Sequence, residues 1–181
     1  MPNKPDPSPR PTPIRCSYWL VDGQVLAGGY PCSFNPEETR RRLESILDAG
    51  IRSFIDLTFE NEGLELYESV LKQLAEEKQI DVEYHRFSIK DHGVPTTALM
   101  QDVLRTIREE IAAGRMVYFH CWGGVGRTGT VAGCWLIEDG YSCDEALNRI
   151  KELRQGILDY DTRSPETDEQ EAFVRKWRPR V

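Results

Sequence analysis

The stretch from Met116 to Glu138 constrains this chain more than any other part of it. Met116 to Phe119 is a short apolar run of the kind buried on both faces at the centre of a sheet. Over residues 127 to 139, Val131, Cys134, Trp135 and Ile137 give the broad apolar face of a buried helix. Between them stands His120-Cys121-Trp122-Gly123-Gly124-Val125-Gly126-Arg127-Thr128-Gly129. A strand that passes through a glycine-rich turn into a helix points successive backbone N–H groups at one concavity, and the helix start adds partial positive charge. Such a turn is built to hold an anion, and a phosphate group fits it. Gly123, Gly124 and Gly126 supply the φ freedom and the missing side chains that let amides approach the oxygens. Trp122, Gly123, Gly124, Val125, Gly126 and Arg127 therefore form the expected phosphate-binding loop.

Other residue types in the turn carry chemistry. Cys121 opens it, where the amides and the helix dipole favour a thiolate and hence a nucleophile. Arg127 can lay its planar guanidinium across the mouth and bind two phosphoryl oxygens, which the point charge of a lysine cannot match. Thr128 can donate its hydroxyl toward the Cys121 sulfur and ease its departure from phosphorus, while His120 orients the loop from behind. Breaking a phosphate ester also requires a proton for the departing oxygen. Asp91, in the irregular segment Lys90-Asp91-His92-Gly93-Val94-Pro95, is the expected donor, with His92 the alternative. Cys134 and Cys143, on a helical apolar face or at a helix start, are expected to be core residues. Asp56 and His85 are expected to be structural.

The remaining chain supplies a frame for that turn. Asp22-Gly23, between Tyr18 to Val21 and Gln24 to Leu26, predicts an N-terminal β-hairpin. Asn35-Pro36 starts a helix faced by Leu43, Ile46 and Leu47 and stopped by Gly50, and Ile51 to Leu57 is a β-rich run. Leu64, Tyr67, Val70, Leu71 and Leu74 predict a second helix, residues 80 to 86 a strand, and Met100 to Ile111 a third helix. Two more helices are expected over 143 to 155 and 165 to 178. Strands alternating with helices imply a layered α/β domain. Residues 1 to 13 hold six of the eleven prolines and almost no apolar side chains. A proline-rich, disordered leader is thus expected over residues 1 to 14, and a single catalytic domain over 15 to 181.

Composition narrows the partners. A net charge of -7 argues against binding a nucleic-acid backbone over a large area. No apolar run approaches the ~20 residues of a membrane helix, and the N-terminus lacks the apolar core of a secretion signal. A cytoplasmic protein with no membrane partner is expected. The five cysteines follow neither a CxxC pattern nor a dense framework, so reduced thiols and no metal site are expected. The sequence carries no mark of oligomeric state.

His120-Cys121, five residues, then Arg127-Thr128 resembles the signature of the protein tyrosine and dual-specificity phosphatase superfamily, and the compact length resembles its dual-specificity branch. Asp91 to Pro95 is similar to that family's Asp-x-x-x-Pro general-acid loop. Ser164-Pro165-Glu166-Thr167 with Gln170 is similar to the loop that positions hydrolytic water. The resemblance spans most of residues 18 to 178. It implies a central, mostly parallel sheet of about five strands flanked by helices, no metal and no organic cofactor. It also implies two-step catalysis through a phosphocysteine, with Asp91 first acid and then base. As in some relatives, Cys16 or Cys32 could pair with Cys121 on oxidation. Members acting on inositol phosphates often carry lysines inside the loop, whereas Trp122, Gly123, Gly124 and Val125 are uncharged, which weighs against lipid or polyphosphate substrates. No equivalent of the phosphotyrosine-recognition loop is found, so a shallower pocket is expected to admit phosphotyrosine, phosphoserine and phosphothreonine in proteins.

Competing readings are weaker. Residues 124 to 129 also match the dinucleotide pattern GxGxxG, but ~20 residues further on lies an amphipathic helix around Arg149 to Glu152 instead of a second strand with an acidic ribose ligand. Alternatives to the protein phosphatase are a phosphoprotein-binding module without turnover, and a phosphatase of RNA 5′-phosphate or small phosphorylated metabolites. The acidic charge disfavours RNA, and the uncharged loop disfavours highly phosphorylated sugars.

Overall fold

The computed structural model describes residues 10–157 and 161–179. The Asp22-Gly23 turn, with Gly23 at φ 66°, folds β1 (Ser17–Val21) back on β2 (Val25–Gly28) as an antiparallel hairpin. Asn35 caps α1 (Pro36–Asp48) by accepting from the N–H groups of Glu37 (2.9 Å) and Glu38 (3.4 Å). Gly50 then turns the chain at φ 98° into β3 (Ile51–Asp56). There follow α2 (Glu68–Lys78), β4 (Glu83–Arg86), α3 (Thr97–Ala112), β5 (Met116–His120), α4 (Gly126–Glu138), α5 (Cys143–Leu153) and α6 (Asp168–Lys176). The sheet has the order β1-β2-β5-β3-β4 and is parallel except at β1, which is the five-stranded α/β architecture expected.

Alternation along the strands divides the core into two layers. Val25, Ala27, Ile55, Val117 and Phe119 face the cluster built from α3, α4, α5 and α6. Leu26, Phe54 and Tyr118 face the opposite cluster, with Leu43, Ile46 and Leu47 of α1 and Leu71 and Leu74 of α2. Each buried Val, Leu, Ile or Phe among them contributes about 1.5–3 kcal/mol when removed from water. The central helix α4 is buried from Gly126 to Ile137, as its apolar sequence predicts.

Register decides where the site must lie. Gly28, His120 and Asp56 are aligned across β2, β5 and β3, and Asp56 is aligned with Arg86 of β4. The segments that follow these four parallel strands therefore leave one edge of the sheet together, which is where α/β sheets place ligands.

Several boundaries differ from expectation. The second helix starts at Glu68, so Leu64 and Tyr67 belong to the preceding loop, and Tyr67 is drawn into the core by a bond to His120. The last helix starts at Asp168, because Thr167 and Gln170 form a capping box there. Of the proline-rich leader, residues 1–9 lie outside the described residues. Residues 10–14 lie against the domain: Ile14 is buried, the Trp19 indole donates to the Pro11 carbonyl (3.3 Å), and the Arg10 guanidinium sits 5.6 Å from the Trp19 ring.

Candidate active site

The loop between β5 and α4 is held by contacts from elsewhere in the chain. Tyr30 N–H donates to the Trp122 carbonyl (2.8 Å), and the Ser164 hydroxyl to the Val125 carbonyl (2.7 Å). Gly124 has φ 71°, and a Cβ there would stand 2.6 Å from the backbone of Gly28 and Gly29. Glycine is required on both counts. A Cβ at Gly126 would stand 2.8 Å from Gln170 Oε1. α4 begins with no side-chain cap and no acidic residue in its first turn. Among the described residues, the N–H groups of Trp122 through Arg127 meet no acceptor in the protein. The loop is thus an open anion cradle at a helix start.

Cys121 is 3% exposed, and its sulfur lies 3.1 Å from Thr128 Oγ1. That oxygen also lies 3.1 Å from the Gly28 carbonyl and accepts the Cys121 N–H at 3.0 Å, so its single proton serves either the sulfur or the carbonyl. Behind the loop, His120 is fully buried, with Tyr67 Oη 2.6 Å from its Nε2 and the Cys121 carbonyl 3.3 Å from its Nδ1. Burial holds the His120 pKa below its usual value. A neutral ring that accepts from Tyr67 and donates to the Cys121 carbonyl satisfies every group, and it fixes the orientation of the loop.

The Arg127 side chain is 1% exposed. Its Nη1 and Nη2 meet Glu62 in a fork, Nη1 also donates to the Ile89 carbonyl (3.0 Å), and Nη2 also donates to Asp91 Oδ1 (2.9 Å). Asp91 Oδ2 lies 3.4 Å from His92 Nε2, and His92 Nδ1 lies 3.6 Å from Glu166. Cys121, Arg127, Asp91, His92 and Glu166 meet the loop around one pocket of about 120 Å³. Among the described residues, no group of three or more His, Cys, Asp or Glu side chains is placed to hold a metal ion.

Residues 31–141 match the family described as "Polymorphic toxin system, DSP-PTPase phosphatase". The chain belongs to the dual-specificity and protein tyrosine phosphatase superfamily. The phosphatase is 32% identical to mouse phosphatidylglycerophosphatase and protein-tyrosine phosphatase 1 over 142 residues, which are 77% of this chain and 68% of the relative. Its fold matches the crystal structure of Tk-PTP in the active form with a TM-score of 0.66 at 25% identity, over 89% of this chain and 95% of that one. PTPMT1 in complex with PI(5)P matches with a TM-score of 0.64 at 26% identity, over 86% and 90%.

The fold of the phosphatase thus gathers Cys121, Arg127, Asp91, Thr128, His120 and the loop from Trp122 to Gly126. Gln170 lies beside them, completely buried rather than solvated. Its Oε1 accepts from the N–H groups of Glu166 and Thr167 (3.1 Å each), and its Nε2 donates to the Gly93 carbonyl (3.0 Å), which ties the segment bearing Asp91 to the start of α6. Asp56 is consumed structurally, accepting from Thr58 and Tyr84, and His85 stands beside Glu110 (3.3 Å). All five cysteines are free. Cys16 and Cys32 pack on the opposite face of the sheet from Cys121, and burial pushes the Cys32 thiol up to about 12. Sequence reasoning missed Glu62 and misplaced Tyr67. Glu62 sits in Glu60-Asn61-Glu62-Gly63, a stretch that reads as an exposed turn. Tyr67 fits the spacing of a helical face, which hid its role.

Proposed function

We propose that the phosphatase hydrolyses phosphotyrosine, together with phosphoserine and phosphothreonine, in proteins through a phosphocysteine at Cys121. The observation that carries this reading is the single small pocket shared by the Cys121 sulfur, the Arg127 guanidinium, the Asp91 carboxyl and the unpaired amides of the loop. In the first step the thiolate attacks phosphorus, the P–O ester bond breaks, and Asp91 gives its proton to the departing oxygen. In the second, water attacks phosphorus and loses a proton to Asp91, while the S–P bond breaks and Thr128 turns its hydroxyl to the released thiolate. Among the described residues four of the five guanidinium donors are engaged, so an incoming phosphoryl group takes Nε and displaces Asp91 from Nη2, which frees the carboxyl for proton transfer.

The mouth of the site favours an aromatic ester on a protein. A cavity of about 610 Å³ beside the pocket is walled by Tyr30, Phe34, Leu64 and Trp122 and carries the carboxylates of Glu62, Glu65 and Asp91. Rings can rest on those walls, whereas further phosphates would meet like charge. A phosphorylated lipid is the second reading, favoured by the name of the mouse relative and by the PI(5)P complex of PTPMT1. Among the described residues no helix is long and apolar enough to cross a membrane. A nucleophilic thiol among five free cysteines fits the reducing cytoplasm, where we place the enzyme.

Hydrolysis of p-nitrophenyl phosphate, a phosphotyrosyl peptide and phosphatidylglycerophosphate vesicles by wild type and Cys121→Ser tests this. The variant is expected to lose at least ~10³-fold in kcat on the first two substrates. Equal rates end the nucleophile assignment, and turnover confined to vesicles transfers the substrate to lipid.

A further inference from the structure

Trp122, 62% exposed, stands between two open grooves of similar size and opposite charge. The groove of about 610 Å³ on one side carries the carboxylates of Glu62, Glu65 and Asp91 and no cationic side chain in its lining. The groove of about 580 Å³ on the other side carries Arg15, Arg41 and Arg42 against a single acid, Glu38. Internal pairing does not cancel either excess. Glu62 and Asp91 share Arg127, which leaves Glu65 over. Arg41 and Arg42 share Glu38 at 2.8 and 2.9 Å, and Arg15 is exposed with no ion-pair partner among the described residues. Three arginines around one groove stand out in a chain of net charge -7. Both grooves are continuous with the phosphate pocket: the acidic one shares Asp91 and Trp122 with it, and the basic one shares Trp122 and Gly123.

We propose that the two grooves form one charge-polarised track for an extended phosphopeptide, a substrate preference that rests on the protein-phosphatase reading above. The phosphorylated residue enters the pocket beside Trp122. Residues on one side of it present Asp or Glu to Arg15 and Arg41, and residues on the other present Lys or Arg to Glu65. An extended chain advances ~3.3 Å per residue, so positions two to four removed from the phosphorylated residue reach roughly 7–13 Å along the track. A peptide that is acidic on both sides, or basic on both, gains one groove and is opposed by the other, and an uncharged one gains neither.

The test is a pair of phosphotyrosyl peptides of one composition, one acidic before and basic after the phosphotyrosine, the other reversed. Exposed ion pairs change affinity by factors of about 1.4 to 5 each, so reversing both flanks is expected to change kcat/KM by roughly tenfold. Raising the salt to ~0.5 M is expected to erase most of that ratio. Arg15→Glu/Arg41→Glu is expected to lower kcat/KM for the preferred peptide about tenfold and to leave p-nitrophenyl phosphate unchanged. Adding Glu65→Lys is expected to reverse the preference. A ratio within twofold for the wild type overturns the track while leaving the phosphatase reading intact. Turnover of phosphatidylglycerophosphate vesicles but of neither peptide, weakened by Arg15→Glu/Arg41→Glu, also overturns it and assigns the basic groove to a lipid headgroup. Loss of p-nitrophenyl phosphate activity in wild type instead refutes the function on which the track rests.

Discussion

Glu62→Gln is the most informative single change in the catalytic pocket. Glu62 is 16% exposed and Arg127 1% exposed on their side chains, so the pair is shielded from solvent. Removing one partner of a buried pair costs about 3–5 kcal/mol when the remaining charge is stranded. Here it is not stranded: Asp91 still faces Nη2, the Ile89 carbonyl still accepts from Nη1, and a glutamine carbonyl replaces one carboxylate oxygen. What is lost is one charge-assisted hydrogen bond, about 1.5–3 kcal/mol. Glu62 grips the Nη1–Nη2 end of the guanidinium and leaves the Nε–Nη2 edge to the phosphoryl group, so it holds the clamp in place and does not compete with substrate. The loss therefore appears in the transition state: kcat/KM for p-nitrophenyl phosphate falls about ten- to a hundredfold, and inhibition by inorganic phosphate weakens in parallel. The urea midpoint, measured on the same samples, separates this from unfolding. A kcat/KM within twofold of wild type, or above it, refutes the argument, because Glu62 would then either be irrelevant to Arg127 or be masking it.

Other outcomes follow from the same contacts. Asp91→Asn slows phenyl phosphate about a hundredfold and slows p-nitrophenyl phosphate far less, since the nitrophenolate leaves without a proton; equal losses on both esters remove Asp91 as the acid. Thr128→Val deprives the leaving thiolate of its donor, so the phosphocysteine accumulates and a burst of nitrophenolate precedes a kcat lowered about tenfold; a lowered rate without a burst assigns Thr128 to the first step. Gly124→Ala meets both positive φ and backbone at 2.6 Å, and a destabilisation above ~2 kcal/mol in urea is expected. Burial lowers the His120 pKa, so below the usual value of about 6.5 the unfolded chain binds the extra proton and stability falls as pH drops from about 7 toward the folded value. His120→Asn should flatten that slope in urea titrations, and an unchanged slope would place the protonation elsewhere.

Legibility in the sequence follows the range of the interactions. The loop could be read because strand, glycines, cysteine, arginine and helix are consecutive and each is dictated by its neighbours. Caps and turns were local too, as with Asn35 on α1 and Asp22-Gly23 between β1 and β2. Glu62 could not be read, because its partner lies 65 residues away and its own surroundings are those of an exposed turn. Tyr67 satisfied a helical period by spacing alone, and the tertiary bond to His120, 53 residues distant, placed it in the loop instead. Gln170 stands among Asp168, Glu169 and Glu171, the local setting of a solvated first helical turn. Its burial comes from the meeting of the Asp91 segment with α6, and no local pattern encodes that meeting.

The same distinction explains why the first hairpin matters to chemistry performed a hundred residues later. The end of β2 is the floor of the phosphate loop: Gly28 offers its carbonyl to Thr128 Oγ1, Tyr30 donates to the Trp122 carbonyl, and Gly124 rests on the backbone of Gly28 and Gly29. Position 28 must itself be small, since a Cβ there would stand 2.5 Å from the carbonyl of Cys16, the residue just before β1. A side chain at Gly28 would therefore push β2 away from β1, move the carbonyl that competes with Cys121 for the Thr128 proton, and shift the ledge under Gly124. The geometry around the Cys121 sulfur is set as much by how β1 packs on β2 as by the loop sequence. Substitutions at the hairpin end should consequently lower kcat with the signature of a displaced thiol, even where the pocket residues themselves are untouched.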